Sequence, residues 1–238
     1  VAFEEDGWEI VAHAHEEGDD HGHDDEDDHM HDDDDHGHDD ELHLDEIVLR
    51  AVPEALTVVP DSAAFAFLGA PGSVVSVLPQ DEVEGVLFLG IAADELEIGM
   101  FENDSVVLRL LDVEGPGAFS LYQVDAFGAP TVFFDSSDDI SGSEVYPVAV
   151  GSHAHANWGF SVPGVYRVTV EASGVLVDGG ATSASEPVVL VFDILPSEAV
   201  DGLGLRATLV DASTIGLTFD TTAGVSYRIQ VRDTFSDG

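Results

Sequence analysis

Cysteine and lysine are both missing from this chain. Without cysteine there are no disulfides, no thiolate metal sites and no thiol nucleophile. Without lysine the only fixed positive charges are arginines, six of them against 49 aspartates and glutamates, and the formal net charge is −43. A surface of that sign repels nucleic acid and anionic lipid and gathers cations, so nucleic acid is excluded as a partner. No apolar run reaches the roughly 18 residues of a membrane-spanning helix. The usual catalytic signatures are absent too: there is no G-x-S-x-G elbow, no phosphate-binding glycine loop and no H-E-x-x-H helix. A zinc ion with an open coordination position could activate water. No companion acid–base pair is legible, however, and the chain is expected not to be an enzyme.

What is present falls into three regions. From Glu16 to Glu46 every residue is His, Asp or Glu except Gly18, Gly22, Met30, Gly37, Leu42 and Leu44. Such a tract has almost nothing apolar to bury and repels itself, so its order is expected to depend on bound cations. Salt adaptation would explain an acid excess from Ile47 onward but not the histidines. From Ile47 to Pro196 the chain alternates short apolar segments with Gly, Pro and Asp. Ala63–Leu68, Ser73–Leu78, Gly85–Ile91, Ser105–Val113, Ala118–Val124, Thr131–Phe134, Val145–Val150, Gly164–Ala172 and Pro187–Leu195 fit an all-β, antiparallel, immunoglobulin-like sandwich. Trp158, Phe160, Tyr166 and Val168 are expected in its core, and only Asp94–Met100 has room for a helical turn or two. After Pro196 the segments Gly204–Leu209, Ile215–Phe219 and Ser226–Val231 predict a small third region of strands. The domain reading is thus a sandwich over 1–195, with the tract inserted at 16–46, and a small β module over 196–238.

The histidines carry the chemistry. Ten of the eleven form His-x-His pairs: His13 and His15, His21 and His23, His29 and His31, His36 and His38, His153 and His155; His43 stands apart. Residues i and i+2 of a strand share a face, so each such pair can offer two imidazoles to one ion. Neutral imidazole suits zinc, copper or nickel, with carboxylates as further ligands or as orienting groups. Zinc is the expected ion; oxygen-only clusters such as Asp32–Asp35 would favour calcium or magnesium. Asp135–Asp139 lacks the spacing of a calcium loop and is a solvated turn. Two pairs lie in strand-like sequence with matching phase. Trp8, Ile10, Ala12 and Ala14 share one face and His13 and His15 the other; Ala154, Ala156, Trp158 and Phe160 oppose His153, His155 and Asn157. Both sets of histidines are therefore expected to face away from the core, where the four could share one tetrahedral zinc.

The stretch Gly151-Ser-His-Ala-His-Ala-Asn-Trp-Gly-Phe-Ser-Val-Pro-Gly-Val-Tyr-Arg167 resembles the signature of the actinobacterial-type surface-anchored repeat of choice-of-anchor M domain proteins. Ala64–Gly72, Leu78-Pro-Gln80, Gly115–Phe119 with Gly128–Pro130, and Trp8–His15 extend the similarity over most of residues 1–195. The resemblance implies an extracytoplasmic β-rich protein, often encoded beside metal-uptake transporters and displayed through a C-terminal anchor. Such proteins carry a Gly-His segment just ahead of the position matching Val1. Leu217–Gln230 resembles part of a second small β module of secreted bacterial proteins. Val1 in place of methionine fits a removed signal peptide, and secretion is the expectation. The function expected is non-catalytic capture of divalent metal ions at the cell surface, with a metal-uptake transporter as partner. The alternative is a structural subunit of a filament or surface layer, a homopolymer cross-bridged by calcium or other cations.

Overall fold

A computed structural model describes residues 2–4, 7–13, 41–44, 46–196, 206–211 and 214–218. It divides into two compact units, Val1–Ser197 and Glu198–Gly238. The chain is all-β: short helical stretches among the described residues are 3-10 turns at Pro53–Ala55, Ala63–Leu68 and Glu102–Asp104. No described helix is long and apolar enough to cross a membrane.

The first unit begins with β1 (Ala2–Glu4) paired to β2 (Gly7–Glu9), then β3 (Ala12–His13) paired to β4 (Glu41–Leu42). There follow β5 (Leu49–Ala51), β6 (Leu56–Val58), β7 (Val74–Leu78), β8 (Gly90–Ala92), β9 (Ser105–Glu114), β10 (Phe119–Val124) and β11 (Pro130–Asp135). Then come β12 (Val145–Ala149), β13 (His153–His155), β14 (Asn157–Phe160), β15 (Gly164–Val175), β16 (Thr182–Ala184) and β17 (Val188–Ile194). One sheet has the order β11-β10-β14-β7-β6; a second runs β12-β9-β15-β17-β5, with β16 added on β15; β13 and β8 form a separate ribbon. The pairing is antiparallel except that β5 runs parallel to β17, a departure from the all-antiparallel expectation. In the second unit β18 (Arg206–Asp211) and β19 (Thr214–Thr218) make a hairpin; Ser226–Val231 lies outside the described residues.

Aromatic rings join the two large sheets. Phe192 of β17 meets Phe160 at 4.9 Å, Trp158 at 5.7 Å and Phe119 at 6.3 Å between centroids, and Tyr166 of β15 meets Phe160 at 5.0 Å. Trp158, Phe160, Tyr166 and Val168 are all buried there, as their alternation predicts. Burying rings of this size is the main source of cohesion between the sheets. The N-terminal hairpin docks on the same core: the Trp8 ring lies 5.2 Å from both Phe3 and Phe101, and its Nε1 donates to Ser183 Oγ at 2.9 Å.

Tyr166 also ties a corner. Its hydroxyl donates to the Val162 carbonyl at 2.7 Å and accepts from the Val162 N–H at 3.3 Å. A Cβ on Gly115 would collide with the Tyr166 ring, and one on Gly117 with Ser161 Oγ and Val162, beside the Tyr166 hydroxyl. Gly115 is therefore room for the tyrosine ring, and Gly117 for the Ser161–Val162 segment its hydroxyl ties down.

Two expected strands are something else. Ala63–Leu68 is a 3-10 segment: Ser62 Oγ accepts from Ala64 N–H, and Gly69, at φ +131°, ends the turn. It lies over the outer face of β7 and β10, where Phe65 and Phe67 meet Tyr122 at 6.4 and 4.9 Å and Leu68 joins Val59, Val75 and Val77. The i, i+2 spacing of the phenylalanines serves either conformation. Gly85–Ile91 is strand only from Gly90, because Val83–Val86 closes a turn with Gly85 at φ +78°.

Candidate metal centre

The ribbon of β13 and β8 carries the fully described histidine pair. Its register sets His153 opposite Ala92, Ala154 opposite Ile91 and His155 opposite Gly90. Both imidazoles thus share one face, while Ile91, buried, lies on the other with the core. Across from the histidines β8 has its two smallest side chains, and the rings lie over them. A Cβ on Gly90 would overlap Nε2 of His153 and come within 3.0 Å of Cε1 of His155. The two ring centroids are 4.6 Å apart with a 30° tilt. His155 also stacks flat on Phe88, at 3.7 Å and 2°.

That stack changes the character of the second histidine. His153 is exposed, but His155 is half-buried rather than turned wholly to solvent as the alternation predicts. The reason is Phe88, brought by the turn before β8. Nδ1 of His155 is buried without a hydrogen-bond partner. Desolvation holds the His155 pKa below the ordinary imidazole range, the neighbouring His153 adds to the effect, and the Leu89 backbone opposes it in smaller measure. Both depressing causes favour the neutral imidazole, which is the form that binds metal. The backbone beneath is held by Gln123, whose Nε2 donates to the His155 carbonyl at 2.7 Å and to the Tyr146 hydroxyl at 3.3 Å.

The rest of the Gly151–Arg167 stretch is occupied otherwise. Asn157, expected on the histidine face, is buried: its Nδ2 donates to Gln80 Oε1 at 2.8 Å and its Oδ1 accepts from Gln80 N–H at 3.0 Å. Trp158 and Phe160 fill the core, and a Cβ on Gly159 would strike Ser120 Oγ and Leu68. Ser161 Oγ accepts from Ala118 N–H at 2.7 Å, and Tyr166 ties the corner. Gln80 of Leu78-Pro-Gln80 further clamps Val124, accepting from its N–H at 2.7 Å and donating to its carbonyl at 3.0 Å.

Of the other expected ligands, His13 is placed by its backbone in β3, opposite Glu41, in a sheet separate from β13. Its side chain, together with His15, His21, His23, His29, His31, His36 and His38, lies outside the described residues, as does most of the tract. Of the four histidines expected to share one ion, the structure describes the side chains of His153 and His155 alone. Among the described residues no group of three or more His, Asp or Glu side chains gathers around one point. His43 is exposed. In the Asp135–Asp139 turn one carboxylate oxygen of Asp135 is taken by the Ser137 N–H at 2.9 Å. Phe88 and Gly90 escaped sequence reasoning, because a phenylalanine and a glycine in an apolar run carry no metal signal of their own. Compared with protein-family models, with curated proteins and with solved structures, the chain finds no match.

Proposed function

We propose that this is an extracytoplasmic surface protein, built on an immunoglobulin-like sandwich, that binds divalent metal ions through His-x-His pairs and carboxylates and is not a catalyst. Zinc is the first candidate because paired neutral imidazoles suit it. The observation that carries the reading is one of elimination within Gly151–Arg167. Asn157, Trp158, Gly159, Phe160, Ser161 and Tyr166 each have a packing or hydrogen-bonding role, whereas His153 and His155 lie side by side over Gly90, and Nδ1 of His155, whose ring stacks on Phe88, is left without a hydrogen bond. The resemblance to surface-anchored repeat proteins supports the extracytoplasmic setting, and the net charge of −43 supports a cationic ligand. The test is zinc titration calorimetry on protein purified without added metal, beside His153→Ala/His155→Ala. Binding by the parent should weaken as pH falls through the imidazole range near about 6.5, and the double replacement should remove one tight site and leave weaker binding by the tract. Unchanged tight stoichiometry in the variant would show that these histidines are not ligands.

A further inference from the structure

The five-stranded sheet ends in a second feature, distinct from the histidine ribbon. A groove of about 390 Å3 is lined by Gln80, Asp81, Tyr122, Val124, Asp125 and Asn157, with Ala126 at its rim. That volume lies within the range of small-molecule sites. Its floor is fixed, since Gln80 is bound to both Asn157 and Val124 through four hydrogen bonds of 2.7–3.0 Å. Tyr122 is only 5% exposed, but its hydroxyl oxygen is not sealed from solvent: Tyr122 lines the groove, and the hydroxyl makes no hydrogen bond among the described residues. A phenol hydroxyl so placed can both give and take a hydrogen bond with a molecule in the groove.

The lining restricts the ligand class. Two carboxylates repel phosphate, sulfate and carboxylate ligands, and the predominantly polar wall gives an apolar molecule little to bind. The choice is then between an ammonium ion and a neutral polyhydroxyl compound. An ammonium group only donates, and it would face the remaining N–H groups of Gln80 and Asn157, each of which uses one hydrogen internally. A hydroxyl both donates and accepts, so neighbouring hydroxyls can give to Asp81 or Asp125 while taking from an amide or from Tyr122.

We propose that this groove binds a neutral saccharide, with the Tyr122 hydroxyl as a recognition group. The test uses the whole chain and two-dimensional NMR, following the side-chain amides of Gln80 and Asn157. Maltotriose, cellotriose and chitotriose are titrated separately, with butylammonium as the cationic probe. At least one saccharide should move both amide signals saturably, and Tyr122→Phe should weaken it roughly three- to tenfold, the loss of one neutral hydrogen bond. That variant keeps the ring packing on Phe67, and its unliganded spectrum reports whether the fold is intact. Amide shifts produced by butylammonium but by no saccharide would make this a cation site and overturn the proposal. Saccharide binding of equal strength in Tyr122→Phe would overturn it as well, because the ligand would then sit elsewhere.

Discussion

At the scale of the residue, the absence of a side chain can matter as much as its presence. Gly90 is glycine at a backbone conformation that alanine can adopt, since it is not among the residues with positive φ. What forbids a Cβ is the pair of imidazoles lying over it. Gly90→Ala should therefore leave stability within about 0.5 kcal/mol of the parent, because histidine rings can swing aside. It should weaken zinc at the His153/His155 site roughly tenfold, because the swing separates the nitrogens. Thermal melting and calorimetry of the same preparation check both halves. Tyr122 makes a different point. Burial pushes its pKa up to about 12 from an ordinary 10. The shift is upward for a group that is neutral when protonated, so its contribution is fully present below pH 10 and is lost as pH rises toward 12. Ultraviolet titration should find late-ionising phenols, Tyr122 among them, because burial also raises Tyr146 and Tyr166. Tyr122→Phe should remove one such late step and its share of alkaline destabilisation.

At the scale of the element, strands of five residues or more were legible, and so were β13 and β14, whereas the three-residue strands β5, β6 and β16 were not. β9, β15 and β17 declare themselves by alternation over seven to twelve residues, which fixes most of the buried set before any contact is known. Ala63–Leu68 has the same two-residue spacing of phenylalanines and turns out to be 3-10, because spacing alone does not distinguish a strand from a short coil pressed on a sheet. The histidine pair was legible as a pair on one face, but its burial was not: the Phe88 that covers His155 is 67 positions away in sequence. The corner at Tyr166 belongs to the same class of long-range fact, since Gly115 is glycine on account of a ring some fifty residues later. Tyr166→Phe keeps that ring and removes only the hydroxyl shared with Val162. It should cost about 1 kcal/mol, visible as a lower midpoint in urea with an unchanged slope. A change below experimental error would show that the corner is held by ring packing alone.

At the scale of the whole molecule the question is whether metal binds to one copy or joins many. The arginines whose side chains are described, Arg50, Arg109 and Arg167, all lie on the six-stranded sheet, where each faces an acid: Asp193 at 3.2 Å, Glu171 at 3.9 Å and Glu114 at 3.9 Å. None belongs to the histidine ribbon or the groove, so cations reaching those features meet no fixed positive charge from them. Between copies, a net charge of −43 opposes association, although at about 0.15 M salt that repulsion is screened beyond roughly 8 Å and does not decide the matter by itself. The sheet edges weigh further. Two of the four outer strands, β5 and β6, are three residues long; β12 carries an exposed Pro147 at its centre, and β11 begins with Pro130. Short or proline-bearing edges are poor templates for strand pairing with another copy. A metal carrier is therefore the expectation over a cross-bridged filament subunit. Sedimentation velocity of the whole chain, first freed of metal by chelator and then given zinc or calcium in excess, should show one monomer-sized species throughout. Large species that form with metal and dissolve again with chelator would replace the carrier with the cation-bridged subunit. His153→Ala/His155→Ala would then separate bridging through the histidine pair from bridging through carboxylates.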